Sequence, residues 1–153
     1  MIETTLASPT GQWIIQASPV GLSYVGFFPT ARYTQGENQH TEIAKQQLTE
    51  YFEGKRTAFD VALDVKGTKF QQQVWQVLTQ VPYGETHTYG WIAARLGNKN
   101  AVRAVGAANG KNPISIIVPC HRIIGANGKL TGYAGGLEAK EWLLRHEGII
   151  CKK

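Results

Sequence analysis

The run IVPCHRIIG, residues 117–125, sets a thiol, an imidazole and a guanidinium side by side between apolar residues. The β-branched flanks predict a strand that enters the core, and Pro119 would end its hydrogen-bond ladder because proline has no N–H to donate. The thiolate is the reactive form of cysteine, and neighbouring His or Arg charge lowers the thiol pKa from about 8.5. The run therefore predicts that Cys120 is a nucleophile at a strand end, with a buried structural cysteine as the alternative.

Upstream of this cysteine the sequence predicts three helices. Thr68 can cap the first, whose apolar residues recur at helical spacing. Thr88 can cap a second over residues 89–96, and a third runs from about residue 99 to residue 108. Two short helices joined by a glycine turn are typical of a helix-turn-helix, and an ordinary packed helix pair is equally compatible with the pattern.

The third of these helices carries one long polar side chain, Arg103, among alanine, valine and glycine. A helix that reads base edges in the major groove normally presents several Arg, Asn or Gln side chains. Small residues instead let the helix backbone approach DNA closely, with Arg103 as a wedge. That arrangement also suits an enzyme that takes a base out of the stack, because a side chain has to fill the gap left behind. The alternative is that the small residues only allow tight helix packing.

The first half of the chain predicts a small sheet with one helix. The predicted strands cover residues 11–17, 22–28 and 59–65, with a loop over residues 30–39 and a helix over residues 41–52. The predicted fold class is α/β (α+β). A small N-terminal antiparallel sheet-and-helix domain, residues 1–67, precedes a mostly helical, winged helix-turn-helix-like C-terminal domain, residues 68–153.

Charge is distributed unevenly between these two predicted domains. The net charge is +5 over 153 residues, but residues 1–67 carry −2 and residues 68–153 carry +7. A basic half joined to a mildly acidic half indicates that one half faces a polyanion. The charge therefore favours a nucleic-acid partner, although basic proteins without one are common.

Cysteine usage and hydropathy narrow the expected compartment. The two cysteines, Cys120 and Cys151, are too few for a disulfide framework, and no apolar run is long enough to span a bilayer. The N-terminus lacks the basic and apolar regions of a signal peptide. We therefore expect a reducing, cytoplasmic location and no membrane partner.

Several separate motifs occur in order along the second half of the chain. They are the helix with Arg103, Asn112-Pro113, Pro119-Cys120-His121-Arg122, Tyr133-Ala134-Gly135-Gly136, and EWLLRHEG at residues 141–148. With these motifs, residues 70–148 resemble the C-terminal domain of the O6-alkylguanine-DNA alkyltransferases, and the N-terminal half resembles that family's small domain loosely. The resemblance implies direct-reversal DNA repair, in which an alkyl group moves from O6-alkylguanine in duplex DNA to the cysteine after nucleotide flipping. It implies an irreversible, stoichiometric, single-turnover cysteine S-methyltransferase that needs no cofactor.

The resemblance also implies roles for individual residues. Cys120 would attack the alkyl carbon, a water would bridge its thiol to His121, and Glu147 would orient the imidazole. Tyr89 would donate to the base, and Asn112 would tie the recognition helix to the active-site strand. The DNA-binding residues would be Thr88, Tyr89, Arg103, Ala104, Gly106 and Ala107, and the base pocket would hold Ser115, Ile123, Tyr133, Ala134 and Gly135. The carbonyls of Cys120 and Ile123 would accept from the exocyclic amine, and Arg122 stays open between a structural ion pair and catalysis.

One departure from the family concerns metal. Some members carry a zinc site of cysteine and histidine in the N-terminal domain, but here both cysteines lie in the C-terminal half and His40 is the only histidine before residue 87. A structural zinc needs four protein ligands, so we expect no metal. Cys151 is expected to be a spare thiol. The partner is expected to be double-stranded DNA, bound by a protein that is a monomer in solution, with cooperative loading left open.

Three other functions stay open at this point. A cysteine hydrolase would also use Cys120, but it needs an oxyanion hole and a directly paired base. A non-catalytic helix-turn-helix regulator would bind DNA and leave Cys120 without a role. Damage-binding relatives of the alkyltransferases share the scaffold but lack the acceptor cysteine, which this chain keeps.

Overall fold

The structure, a computed structural model, describes residues 1–150. The chain forms two compact units, of which the first is Met1–Lys66 and the second begins at Gly67. The mixed α/β class predicted from the sequence is confirmed, because the first unit holds a small sheet with a helix, and most of the regular secondary structure in the described part of the second is helical. Within residues 1–150 no helix is both long and apolar enough to cross a membrane.

The sheet of the first unit has four strands in the order β3-β2-β1-β4. β1 (Ile2–Ser8), β2 (Gly11–Ala17) and β3 (Leu22–Gly26) pair antiparallel, and the short β4 (Thr34–Gln35) lies parallel to β1. The sequence predicts β2 in full, extends β3 two residues too far and misses β1 and β4.

Strand β1 is hard to predict from the sequence because it contains a buried carboxylate, that of Glu3. Glu3 is completely buried. It accepts hydrogen bonds from the Arg32 guanidinium (Nε at 2.8 Å), the N–H of Tyr33 (2.9 Å) and the amide of Gln16 (3.1 Å). A buried charge is tolerated only with such partners. Two of these three donors come from about thirty residues away, so the local pattern does not indicate them.

Helix α1 (Gln39–Phe52) packs on β1 and β2. It begins two residues before the predicted Thr41 because Asn38 caps it. The Asn38 side chain accepts from the N–H groups of His40 and Thr41, and the Thr41 hydroxyl accepts in return from the N–H of Asn38. The reciprocal bonds form a capping box, which satisfies donors that a helix start leaves unpaired.

The predicted strand over residues 59–65 is wrong. Only Leu63 forms a β-bridge, with Leu22, supported by hydrogen bonds from the N–H of Leu22 to the carbonyl of Ala62 and from the N–H of Asp64 to that of Leu22. Apolar alternation alone predicted this strand, but the segment meets its sheet at a single position.

The described part of the second unit contains α2 (Lys69–Leu78), α3 (Tyr89–Arg95), α4 (Val102–Gly110) and α5 (Leu137–His146). Helices α2 and α3 both pack against α4. The indole N–H of Trp75 donates to the carbonyl of Ala108 at 2.9 Å, which ties α2 to α4.

Both predicted threonine caps are confirmed. The Oγ1 atom of Thr68 accepts from the N–H of Gln71, and that of Thr88 accepts from the N–H of Trp91, each at 3.1 Å. Helix α4 starts at residue 102 instead of the predicted 99, because Asn98 forms a turn before it. The side-chain oxygen of Asn98 accepts from the N–H of Asn100, and its carbonyl accepts from the N–H of Ala101.

A short parallel pair links the helices to the cysteine. Strand β5 (His87–Thr88), immediately before α3, pairs with β6 (Ile123–Ile124), which directly follows the Cys-His-Arg triplet. The pair therefore brings the start of α3 close to the segment that contains Cys120.

Candidate active site

The segment before Cys120 is a pair of tight turns and not the predicted strand. The N–H of Ile117 donates to the carbonyl of Ser115, and the N–H of Cys120 to that of Val118, each at 2.8 Å. Bonds between residues two apart are typical of γ-turns. Ile116 has a φ of 70°, which β-branched residues rarely adopt and which costs on the order of 1–3 kcal/mol. The cysteine then opens a 3₁₀ turn of three residues.

The Cys120 side chain is buried and forms no disulfide. Burial is the strongest influence and raises the pKa of the thiol, against a hydrogen bond from Asn112 and the charge of Lys140, which lower it. The sequence predicts a lowered pKa from the adjacent basic residues, and that prediction is wrong. The guanidinium of Arg122 pairs with Glu147, so its charge does not serve the thiol. A thiol with a raised pKa is neutral at neutral pH, and it would need a base to become a thiolate.

The imidazole of His121, the next residue, has the chemical features of a base. It is completely buried, and its Nε2 lies 2.7 Å from Oε2 of Glu147. An ionised carboxylate can only accept, so Nε2 carries the proton and Nδ1 carries the lone pair. Nδ1 has no hydrogen-bond partner within residues 1–150. Burial, more than any other influence, lowers the pKa of His121 below its usual 6.5, so the ring is neutral at neutral pH.

The carboxylate of Glu147, the C-cap residue of α5, accepts hydrogen bonds from several donors. Arg122 donates from Nε to Oε1 at 2.8 Å and from Nη2 to Oε2 at 3.2 Å, and the N–H of Gly84 donates to Oε1 at 3.2 Å. Burial alone would raise the pKa of Glu147, but the hydrogen bonds and charges of His121 and Arg122 outweigh it and hold the pKa at about 2. Arg122 also donates to the carbonyl of Val81 at 2.8 Å. Its contacts are those of a buried ion pair.

Asn112 connects the end of α4 to the turns before the cysteine. Its Nδ2 donates to the carbonyls of Ile114 (3.2 Å) and Val118 (2.8 Å), and its Oδ1 accepts from the N–H of Ile114 (3.0 Å). Three bonds from one buried side chain fix the backbone that leads to Cys120.

Sequence reasoning missed two residues beside the site, Lys140 and Thr131. Lys140 is completely buried on α5, and its Nζ donates to the carbonyl of Ile123 at 2.6 Å and to Oγ1 of Thr131 at 3.4 Å. The same Thr131 oxygen lies 2.5 Å from the phenol oxygen of Tyr89. One signal was available, because Lys140 precedes two buried leucines by three and four residues and therefore shares their helix face.

Helix α4 presents a face of small residues with one arginine. Arg103, Ala104 and Ala107 are exposed, whereas Gly106 faces the ring of Tyr89. A Cβ on Gly106 would lie 3.8 Å from the nearest atom of that ring. The exposed face matches the pattern from which close DNA approach is expected, and Gly106, three residues after Arg103, lies beside the Tyr89 ring.

The remaining predicted site residues differ in exposure. Thr88 is half-buried and uses its hydroxyl oxygen to cap α3. The carbonyl of Cys120 accepts from the N–H of Ile123, and the carbonyl of Ile123 accepts from Lys140. Each carbonyl keeps a second lone pair that an amine could use.

The residues predicted to line the base pocket differ in exposure. Ser115 and Ile123 are buried, Tyr133 and Gly135 are half-buried, and Ala134 is exposed.

No group of three or more His, Cys, Asp or Glu residues within residues 1–150 is arranged to hold a metal ion. The absence of a metal centre stays a prediction. Cys151, expected to be a spare thiol, lies outside the described residues.

A buried thiol with a neighbouring histidine–carboxylate pair shares one unit with a helix, α4, that exposes an arginine among small residues. This combination is the one expected of a DNA-binding protein with a cysteine nucleophile. Residues 69–149 match the family model of the DNA binding domain of 6-O-methylguanine DNA methyltransferase, and residues 1–65 match the model of its ribonuclease-like domain. The chain belongs to this family, the O6-alkylguanine-DNA alkyltransferases.

Individual relatives agree with this assignment. The methylated-DNA–protein-cysteine methyltransferase of Methanosarcina acetivorans is 51% identical over 147 residues, which is 92% of this chain and 94% of the relative. The crystal structure of the Mycobacterium tuberculosis O6-methylguanine methyltransferase has a TM-score of 0.86 at 45% identity and covers 95% of this chain and 91% of its own. That of Mycobacterium tuberculosis OGT in complex with DNA has a TM-score of 0.90 at 47% identity and covers 96% and 92%. The protein binds DNA and repairs it by direct alkyl transfer to a cysteine.

Proposed function

We propose that this chain removes the alkyl group from O6-alkylguanine in duplex DNA by moving it to Cys120, once per molecule. The observation that carries the proposal is the buried His121–Glu147 pair, which begins at the residue after the cysteine and keeps Nδ1 as a lone-pair site. A buried thiol beside a buried neutral base suits a nucleophile that is activated only during the reaction.

The reaction would be an in-line displacement. The Cys120 thiol gives its proton to Nδ1 of His121, directly or through a water, as the sulfur forms a bond to the alkyl carbon. The electron pair of the breaking carbon–oxygen bond passes to the guanine. The ionised Glu147 favours the imidazolium that results, because its charge and hydrogen bond raise the pKa of His121 against the effect of burial.

The departing guanine needs a hydrogen-bond donor, and we assign that part to Tyr89. The product is a thioether, and thiol–disulfide exchange cannot cleave its carbon–sulfur bond. Single use follows from this chemistry. Asn112 supports the reaction indirectly by holding the backbone that leads to Cys120.

A buried thiol can reach a base only if the base leaves the stack. We propose that the exposed face of α4 approaches the duplex and that Arg103 takes the place of the flipped nucleotide. Tyr133, Ala134 and Gly135 would line the pocket with Ser115 and Ile123.

The cysteine, its base and the DNA-facing helix all lie in one chain between residues 68 and 150, so we propose that one copy suffices and that the protein acts as a monomer. The acceptor must stay a free thiol, which suits the reducing cytoplasm.

The test separates transfer from binding. The duplex carries one O6-methylguanine with a labelled methyl group, and Cys120→Ala is compared with the unchanged chain. The unchanged chain should take the label, whereas Cys120→Ala should bind the duplex with similar affinity and take none. Transfer by Cys120→Ala would refute Cys120 as the acceptor. Binding without transfer by the unchanged chain would instead indicate a non-catalytic damage-binding protein.

A further inference from the structure

Lys140 places a positive charge inside the second unit, next to groups of the site. Its side chain is completely buried. Its Nζ donates to the carbonyl of Ile123 at 2.6 Å and, at 3.4 Å each, to the carbonyl and the Oγ1 of Thr131. Burying an ammonium is costly without such acceptors. The contacts join α5 to the residue after the Cys-His-Arg turn and to the loop that reaches Tyr89.

The direction of the hydrogen bond between Thr131 and Tyr89 decides what the phenol can do. The two hydroxyl oxygens lie 2.5 Å apart, so one of them donates to the other. If the phenol donates to Thr131, its own proton is not available to a substrate. If Thr131 donates, the phenol proton is free to point elsewhere, and the phenol oxygen already has its donor.

The ammonium of Lys140 favours the second arrangement. It has three donors and no acceptor, so it can only donate to Oγ1 of Thr131. A hydroxyl whose oxygen accepts from a cation becomes a stronger donor and a weaker acceptor, because hydrogen bonds in a chain polarise one another. This polarisation favours Thr131 as the donor to the phenol oxygen.

We propose that Lys140, acting through Thr131, is a positioning relay that orients the phenol of Tyr89 as a donor to the alkylated base. The inference rests on the proposed function, since it assigns a task to Tyr89 in that reaction. A phenol turned the other way would present lone pairs to an atom that is gaining an electron pair. The ring itself lies beside Gly106 of α4, where an added Cβ would be 3.8 Å from its nearest atom.

The test is a double-mutant cycle on the rate of methyl transfer from an O6-methylguanine duplex, measured in a single turnover at saturating protein. Thr131→Val removes the hydroxyl at nearly constant volume, and we expect a rate about tenfold lower, the effect of one misplaced hydrogen bond. Thr131→Ser keeps a hydroxyl and should recover most of the rate. In a Tyr89→Phe background, Thr131→Val should cause no further loss.

Two further readouts separate the relay from a loss of structure. The rate at which iodoacetamide alkylates Cys120 uses no phenol, so Thr131→Val should leave it unchanged. Lys140→Met should slow methyl transfer at least as much as Thr131→Val, and the Thr131 variants decide the question if Lys140→Met does not fold.

The relay would be overturned if Thr131→Val transferred the methyl group at the unchanged rate. It would also be overturned if Thr131→Val lowered the rate by the same factor in the Tyr89→Phe background as in the unchanged chain. In both cases the proposed function would stand. Absence of transfer by the unchanged chain would overturn the proposed function and the relay with it.

Discussion

Nε2 of His121 lies 2.7 Å from Oε2 of Glu147, and both side chains are completely buried. The contact joins the residue after the cysteine to the end of α5, 26 residues along the chain. It fixes which ring nitrogen carries the proton, and hence which one can receive a proton from the thiol.

Replacing the carboxylate should slow the chemistry without removing the thiol. Glu147→Gln should lower the single-turnover rate of methyl transfer about 100-fold, at the lower end of what a positioned proton acceptor contributes. The cause is the loss of the charge that stabilises the imidazolium. The matched control is Glu141→Gln on the same helix, which removes the exposed pair with Arg145. Equal rates for Glu147→Gln and the unchanged chain would show that the imidazole does not act as the base.

The same carboxylate should make stability depend on pH. Its pKa is about 2 in the folded protein and about 4.5 without the fold. A depressed carboxyl pKa stabilises the folded state above the unfolded value, here by about 3 kcal/mol, and this is lost as the pH falls from about 4.5 to about 2. Urea unfolding of the unchanged chain and Glu147→Gln, at pH 7 and at several values below 4.5, measures the difference in free energy of unfolding. That difference should shrink with falling pH, and a constant difference would contradict the assignment.

The charge of Lys140 should be detectable in the thiol's own titration. Because that charge lowers the pKa of Cys120, Lys140→Met should move the midpoint of iodoacetamide alkylation to higher pH. A Cys151→Ser background restricts the signal to one cysteine. Lys129→Met, which removes an exposed lysine, is the control and should leave the midpoint in place. A midpoint that stays fixed or falls in Lys140→Met would contradict the electrostatic contribution.

Arg103 should matter on duplex DNA more than on single strands. If it replaces a flipped nucleotide, Arg103→Ala should lower transfer from duplex O6-methylguanine roughly 10- to 100-fold, because flipping costs a few kcal/mol. Single-stranded substrate needs no replacement for the base and should be repaired at nearly the unchanged rate. Arg145→Ala removes one exposed charge elsewhere in the same unit and controls for phosphate attraction. An equal loss on both substrates would show that Arg103 contributes only charge.

Local rules predicted the parts of this fold that depend on neighbours in sequence. Thr68 and Thr88 cap helices because a hydroxyl reaches an N–H three residues on, which a sequence shows directly. The approach to Cys120 was predicted as a strand because β-branched residues favour one. The left-handed φ of Ile116 belongs to the turn and leaves no trace in composition.

The buried charges of the site were predicted only in part. The resemblance pairs Glu147 with His121, but the sequence does not predict the raised pKa of the Cys120 thiol, because burial is a property of the whole packed unit. Nor does it single out Lys140, because a lysine on a helix usually reaches solvent. Its nearest acceptor, the carbonyl of Ile123, is 17 residues away.

The measurement to make first is mass spectrometry of the intact protein and of its peptides after mixing with duplex DNA that carries one O6-methylguanine. We predict a gain of one methyl group per molecule, located on the peptide that contains Cys120, with no second round of repair. A methyl group on any other residue, or more than one DNA repaired per protein molecule, would contradict Cys120 as a single-use acceptor.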